Sequence, residues 1–254
     1  MARYHKSVAN IFARIADCII PRRCAGCKKP HETLCVLCAQ QSFEPWIRCF
    51  VCGARRTTGS FCPGSCRAKT PKALKKIYWA GPYDKALREA IGQLKYKKRK
   101  ELAERLGKLL AQKFYAVFCN VRSRTSNTSK PDFEYVVVPI PLHPNKERSR
   151  GFNQALLIAR VFAKEIGAPM IADVLIKTID TEPQARIASR EERLKNLTGA
   201  FAVSKSDFNS TYGSRTSIIL VDDVATTGAT LFEASRTLEK AGISTIIGFV
   251  VAHG

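Results

Sequence analysis

The sequence predicts an α/β protein: a parallel sheet flanked by helices, with a small cysteine-rich zinc-binding part at its N-terminal end. Three observations lead there. From about residue 73 onward, continuous apolar strands alternate with amphipathic helices, and strands apolar on both faces belong to parallel sheets covered by helices on both sides. Eight of the ten cysteines fall between residues 24 and 66 in closely spaced pairs. The 254 residues are 45% hydrophobic, which is enough to bury a core and excludes a disordered chain. The composition divides the chain into residues 1–72, an N-terminal helix plus the cysteine pairs, and residues 73–254, the α/β part.

The first segment, SVANIFARIADCIIP, has the look of a signal peptide, but Arg14 and Asp17 interrupt it and no small-residue cleavage site follows. Val8, Ile11, Phe12, Ile15 and Ile19 fall at helical spacing instead, so a short helix packed on its own protein is expected, with a membrane-surface or partner helix as the alternative. No apolar run approaches the roughly 18 residues of a membrane span. The expectation is a cytoplasmic protein without a transmembrane segment.

The cysteines pair as Cys24/Cys27, Cys35/Cys38, Cys49/Cys52 and Cys62/Cys66. Two thiolates that close together hold two corners of a zinc tetrahedron, so four pairs make two structural sites with no corner left for water. The simplest grouping is sequential, Cys24/Cys27/Cys35/Cys38 and Cys49/Cys52/Cys62/Cys66; spacing alone leaves an interleaved grouping open. A disulfide framework would need an export context that nothing in the sequence supports.

The net charge of +21 is uneven: residues 1–100 carry +17 and residues 101–254 carry +4, which points to an acidic partner for the first part. Arg22, Arg23, Lys28, Lys29, Arg48, Arg55, Arg56, Arg67 and Lys69 lie among Trp46, Phe50 and Phe61. Cations mixed with exposed aromatics bind single-stranded DNA by charge and stacking; the opposing reading puts these aromatics in the module's own small core. The run Lys95–Lys100 (KYKKRK) reads as a solvated stretch that adds to the basic footprint.

In the second part, 73–83 reads as a strand, 85–96 and 101–118 as helices, 135–140 as a strand, 153–167 as a helix, 170–176 and 199–203 as strands, 217–223 as a strand, 230–242 as a helix and 244–252 as the last strand. The polar stretches 120–132 and 204–217 read as loops.

The chemistry concentrates at IILVDDVATTGATL, residues 218–231. Ligands of parallel sheets bind at the carboxyl ends of strands, which is where Asp222 and Asp223 fall. The backbone N–H groups from Ala225 to Ala229 and the hydroxyls of Thr226, Thr227 and Thr230 suit a phosphate at a helix N-terminus, with Gly228 permitting close approach. Paired carboxylates accept hydrogen bonds from vicinal hydroxyls. A sugar 5-phosphate meets both requirements. A nucleotide-binding loop of the Gly-x4-Gly-Lys-Ser/Thr kind is absent from the sequence.

These residues resemble the phosphoribosyl pyrophosphate (PRPP) motif of type I phosphoribosyltransferases, and the whole chain is similar to the ComF (ComFC/GntX-like) family, linked to DNA uptake in natural competence and to DNA utilisation. The resemblance is carried by the paired cysteines, Leu94-Lys95-Tyr96, VVPIPLHPNKERSRGFNQA (137–155), EPQARIASREERLKNLTGAF (182–201) and LVDDVATTGAT (220–230). It implies that Asp222 and Asp223 hold the ribose hydroxyls and that Ala225, Thr226, Thr227, Gly228, Ala229 and Thr230 hold the 5-phosphate. Arg148 and Arg150, in the loop after the 135–140 strand, would face the pyrophosphate, Arg190, Arg193 and Lys195 would form a hood over it, and Mg2+ would accompany PRPP. Partners implied are PRPP, single-stranded DNA and competence or DNA-recombination proteins.

Two positions depart from the pattern. Thr226 stands where some of these enzymes carry an acid, and Lys177 where the family often has Arg. His143, beside Pro144, reads as a turn residue, with proton transfer as the alternative. The sequence identifies no catalytic residue and no acceptor. A DNA-handling PRPP-binding protein is the leading expectation; the alternatives are a regulatory PRPP- or DNA-binding module without turnover and a phosphoribosyltransferase of nucleotide salvage.

Overall fold

The computed structural model describes residues 21–44, 47–56, 61–122, 135–181, 190–204 and 217–254. The expected N-terminal helix, Trp46, and most of the stretches 120–132 and 204–217 lie outside them. In chain order the elements are α1 (Val36–Ser42), β1 (Ile47–Arg48), β2 (Arg55–Arg56), α2 (Ser65–Ala68), β3 (Leu74–Pro82), α3 (Lys85–Tyr96), α4 (Leu102–Arg122), β4 (Tyr135–Pro139), α5 (Pro144–Arg150), α6 (Gln154–Ile166), β5 (Leu175–Lys177), α7 (Arg190–Leu197), β6 (Phe201–Val203), β7 (Ser217–Ala225), α8 (Ala229–Lys240) and β8 (Ile246–His253).

The main sheet is parallel, in the order β3-β8-β7-β4. Its two central strands are apolar on both faces because each face is covered. Ile219, Val221, Phe249 and Val251 point into one cluster with Leu106, Leu110 and Phe162 of α4 and α6. The alternate residues Ile218, Leu220, Ile246 and Val250 point into a second with Leu231, Phe232 and Leu238 of α8. Each such side chain contributes about 1.5–3 kcal/mol on burial, so the sheet's register is set by both faces at once.

Local signals place the helix ends. The Asn153 side chain accepts the N–H groups of Ala155 and Leu156, and Gly167 closes α6 in the left-handed conformation. The connection after the 135–140 strand, expected as a loop, contains the seven-residue helix α5: the His143 side chain caps it, Pro144 starts it and left-handed Gly151 ends it.

The segments near 170–176 and 199–203 were expected among the sheet's alternating strands. Met170 does bridge Val137 of β4 in parallel, but 175–177 and 201–203 form a separate antiparallel ribbon, β5 with β6. Only three residues of each pair, and Ile176 is 45% exposed. One face of the ribbon is therefore wet, which a central parallel strand does not tolerate. The buried Glu233 of α8 accepts the Gly199 N–H at 2.8 Å and ties the turn before β6 to the main body.

The cysteine segment packs on this body. Cys24, Leu34, Cys35 and Cys38 share a buried cluster with α3 and the sheet. Glu44 accepts the Trp79 indole N–H at 2.8 Å, and its own N–H donates to the Ala80 carbonyl at 2.6 Å. A Cβ on Gly81 would sit 1.7 Å from the Ser42 carbonyl oxygen, so only glycine allows this approach.

Candidate functional site

β7 delivers Asp222 and Asp223 at its carboxyl end, still paired with β8 and buried to 8% and 3% exposure. Backbone geometry turns each carboxylate onto the chain ahead: Asp222 Oδ1 accepts the Asp223 N–H at 2.8 Å, and Asp223 Oδ1 accepts the Val224 N–H at 2.9 Å. Lys95, from the last turn of α3, places Nζ 2.6 Å from Asp223 Oδ2. Burial alone would lower the Lys95 ammonium, but Asp223, its hydrogen bond and Asp222 together raise it, so it stays charged. Burial, then the charge of Asp223, raises the Asp222 carboxyl, with Lys95 opposing. One cation serves both carboxyls, and the pair has spare capacity to accept hydrogen bonds.

The loop behind them turns through Gly228 at φ +78°, which begins α8. The Thr227 hydroxyl receives the Ala229 N–H at 3.4 Å, and Thr226, Thr227 and Thr230 are half-buried at the helix's N-terminal end. Donors gathered at a helix N-terminus favour an anion.

A basic wall stands on the elements that follow β4 and on its neighbouring ribbon. Arg150 bonds Gln154 and stands 5.9 Å from the Tyr96 ring centroid. Arg148 donates to Asn145 Oδ1 at 2.6 Å. Lys177 on β5 feels the charge of Asp222; burial, aided by repulsion from Lys146, lowers its ammonium to about 8. Lys146 pairs with Asp180 at 3.6 Å and bonds the Thr181 carbonyl. His143 Nδ1 accepts the Asn145 N–H at 3.3 Å, which gives that residue its place as a helix cap.

Lys95 and Lys146 are the residues that sequence reasoning passes over. The basic run suggests a solvated Lys95; the structure makes it the ion-pair partner of the acid at the centre of the site. Its signal is its place in the Leu94-Lys95-Tyr96 segment, where an apolar neighbour at 94 puts position 95 next to a buried helix face. Arg190, Arg193 and Lys195 lie on α7, and Lys195 is exposed. The ion pair to Asp223 comes from Lys95 on α3. The segment 182–189 lies outside the described residues.

The cysteines group sequentially, as Cys24/Cys27/Cys35/Cys38 and Cys49/Cys52/Cys62/Cys66, with all four sulfurs of each set within 4.8 Å of one another. The Cys35 N–H donates to Cys24 Sγ at 3.3 Å and the Cys62 N–H to Cys49 Sγ at 3.3 Å. Burial would raise the Cys49 thiol, yet N–H donors of Cys52, Cys62 and Val51 pull it down to about 6; the same opposition holds Cys24 at about 7. Four sulfurs gathered this closely, two of the eight held toward the thiolate, fit zinc, and each four-cysteine cluster could hold one ion.

The second cluster reaches the loop. Phe50, between Cys49 and Cys52, lies edge-on to Trp79, Phe232 and His253 with centroids at 5.9, 6.2 and 4.7 Å. A Cβ on Gly228 would meet Phe50 Cε1 at 2.5 Å. For Phe50 and Phe61, which the sequence leaves between stacking on DNA and a place in the core, the structure gives the core: they are buried at 3% and 8% and fill the seam between this cluster and the sheet. Arg67, expected on the same surface, is spent on the carbonyls of Pro71, Lys72 and Leu74.

The fold and clusters define the class: a parallel α/β chain with an acid pair at the carboxyl end of a central strand, joined to two four-cysteine clusters. The chain is 27% identical to DNA utilization protein YhgH of Salmonella typhimurium over 231 residues, 89% of this chain and 95% of the relative. It is 28% identical to competence protein F of Haemophilus influenzae, over 88% of this chain and 93% of that one. It is 26% identical to competence protein ComFC of Bacillus subtilis, over 88% and 85%. These are homologues along most of the chain, in line with the resemblance drawn from its motifs. No family model matches the chain. Among solved structures, adenine phosphoribosyltransferases of Trypanosoma brucei and Leishmania tarentolae align at TM-scores of 0.34 and 0.31, with 13% and 15% identity. They cover 62% and 61% of this chain and 66% and 73% of their own, and a likeness this weak carries no functional weight. Among the described residues no helix is long and apolar enough to cross a membrane.

Proposed function

We propose that this chain binds PRPP at Asp222, Asp223 and the Ala225–Thr230 loop and acts on single-stranded DNA during its uptake or utilisation, in the cytoplasm. The observation that carries the reading is the buried acid pair running directly into the glycine-turned N-terminus of α8. The two carboxylates accept the vicinal ribose hydroxyls, and the loop N–H and hydroxyl groups take the 5-phosphate. Arg148 and Arg150 neutralise the pyrophosphate, with Arg190, Arg193 and Lys195 closing from α7. Mg2+ bound together with PRPP would add charge neutralisation at the pyrophosphate. The role in DNA rests on the relatives named for competence and DNA utilisation, and it makes competence or DNA-recombination proteins the natural partners. The zinc-binding part is residues 1–72 and the PRPP-binding part residues 73–254.

Calorimetry with PRPP and Mg2+ tests the site: wild type releases heat on binding, and Asp223→Asn removes it. No heat from the zinc-loaded wild type overturns the reading. One observation favours binding without transfer. The loop from Val224 to Thr230 holds no carboxylate that would take a proton from a nucleobase acceptor. Pyrophosphate release with PRPP and a panel of bases, nucleotides and oligonucleotides separates the two, with turnover supporting a transferase, including one of salvage.

A further inference from the structure

We infer that the surface around Tyr96, beside the acid pair, is a stacking platform for single-stranded nucleic acid. The inference rests on the DNA-handling part of the proposed function and supplies the site that the cysteine segment's aromatics do not. Among the described residues the exposed aromatic side chains are Tyr96, at 76%, and Tyr115, at 44%. The Tyr115 hydroxyl is held by the Glu165 carbonyl at 2.7 Å. Tyr96 stands open at the end of α3, and leaving a ring of this size in water costs hydrophobic free energy that burial would recover.

The surroundings of Tyr96 are cationic and arranged. Arg150 stands 5.9 Å from its ring centroid. Lys97, Lys98 and Lys100 are exposed, and Arg148 is exposed on α5. Arg99 serves as the pin of the segment: it donates to the Arg23 carbonyl at 3.0 Å, to Gln93 Oε1 at 2.5 Å and to Glu101 at 3.0 Å. Lys98 adopts φ +54° just after the end of α3. An open aromatic face with several exposed cations matches a strand whose bases are unpaired and whose phosphates are exposed. An acidic protein face or an anionic membrane could also use the lysines; only an unpaired strand offers both bare phosphates and open base faces for the ring. The chain neighbour of Tyr96 is Lys95, whose ammonium lies on Asp223, so a base stacked here sits at the edge of the acid-pair site.

The test is fluorescence anisotropy of a labelled oligothymidylate with the full, zinc-loaded chain at several salt concentrations. Tyr96→Ala is expected to weaken binding about 5- to 150-fold, the equivalent of one stacked base, while Tyr96→Phe keeps near wild-type affinity. The Lys97→Ala/Lys98→Ala double variant is expected to reduce the log–log salt slope by about 1.4, roughly 0.7 per lost phosphate contact. Thermal melts of each variant verify folding; Tyr96 is exposed, so its replacement leaves Tm near wild type. Wild-type affinity in Tyr96→Ala overturns the platform and leaves DNA handling standing. Equal affinity for duplex of the same sequence, or capture by phosphatidylserine vesicles that does not depend on Tyr96, overturns it in favour of a charge-only surface. Failure of wild type to bind the oligonucleotide removes the DNA-handling reading together with the platform, and PRPP calorimetry on the same sample shows whether the PRPP site survives on its own.

Discussion

Burial raises the Asp222 carboxyl more than the neighbouring Lys95 ammonium lowers it. Burial and the adjacent charge raise the Asp222 carboxyl above its unfolded value of 3.8, so its protonated form favours the fold. Its contribution is complete below the normal carboxylate range and is lost as pH rises through the raised folded value. At neutral pH the unfolded carboxyl is ionised while the buried one, raised to about 8, still holds its proton, so burying Asp222 works against stability. Asp222→Asn is expected to raise the melting temperature of the unliganded chain by roughly 2–4 °C, about 1 kcal/mol, and to abolish the PRPP heat in calorimetry. The gain should shrink when the melts are repeated at acid pH. Lys95 has the opposite character. Its ammonium lies 2.6 Å from Asp223, with a side chain only 18% exposed, and removing it leaves the buried Asp223 carboxylate uncompensated. Lys95→Met is expected to cost about 3–5 kcal/mol, measured by urea unfolding, and Lys95→Met/Asp223→Asn should recover most of that loss. Equal destabilisation of the single and double variants would mean that the ion pair contributes nothing.

At the scale of elements, the start of α8 is fixed from two sides. Gly228 takes a conformation that disfavours side chains, at φ +78°, and Phe50 closes the space a side chain would enter. Left-handed strain of about 1–2 kcal/mol and a clash of about 1–3 kcal/mol predict that Gly228→Ala loses about 2–5 kcal/mol in denaturant unfolding. Phe50→Ala removes the clash but not the strain. The two substitutions together should then cost less than the sum of their separate effects, by about 1–3 kcal/mol; strict additivity would show that Phe50 does not bear on the loop. Elements also show where the sequence was legible. The helices at 85–96 and 153–167 and the strands at 135–140 and 217–223 follow from apolar period and caps. The ribbon of β5 and β6 does not, because three-residue strands carry too few alternations to separate a wet edge from a buried strand.

Across the whole molecule the cysteine clusters and the acid-pair site are mechanically continuous. Phe50 lies between two cysteines of one cluster and against Gly228, Trp79 and His253 of the sheet end. Chelation of zinc by a strong metal ligand is expected to lower the melting temperature and shift the emission of Trp79, which stacks on His253 at 4.6 Å. It should also weaken PRPP binding, since the loop loses its cover. Restoring zinc reverses all three. Unchanged Trp79 emission and PRPP affinity after full zinc release would separate the clusters from the site.

The sequence by itself determined the four cysteine pairs, the parallel α/β character and the acid pair followed by a glycine turn. Each is local: a spacing, a run or a short motif whose chemistry does not depend on distant residues. Tertiary structure alone decided which cysteine pairs share a cluster, that Lys95 leaves a basic run to neutralise Asp223, and that Phe50 and Phe61 are core while Tyr96 is surface. Those outcomes rest on long-range packing: whether an aromatic or a lysine is buried depends on the element that folds against it, and the residues beside it in the chain do not say which element that is.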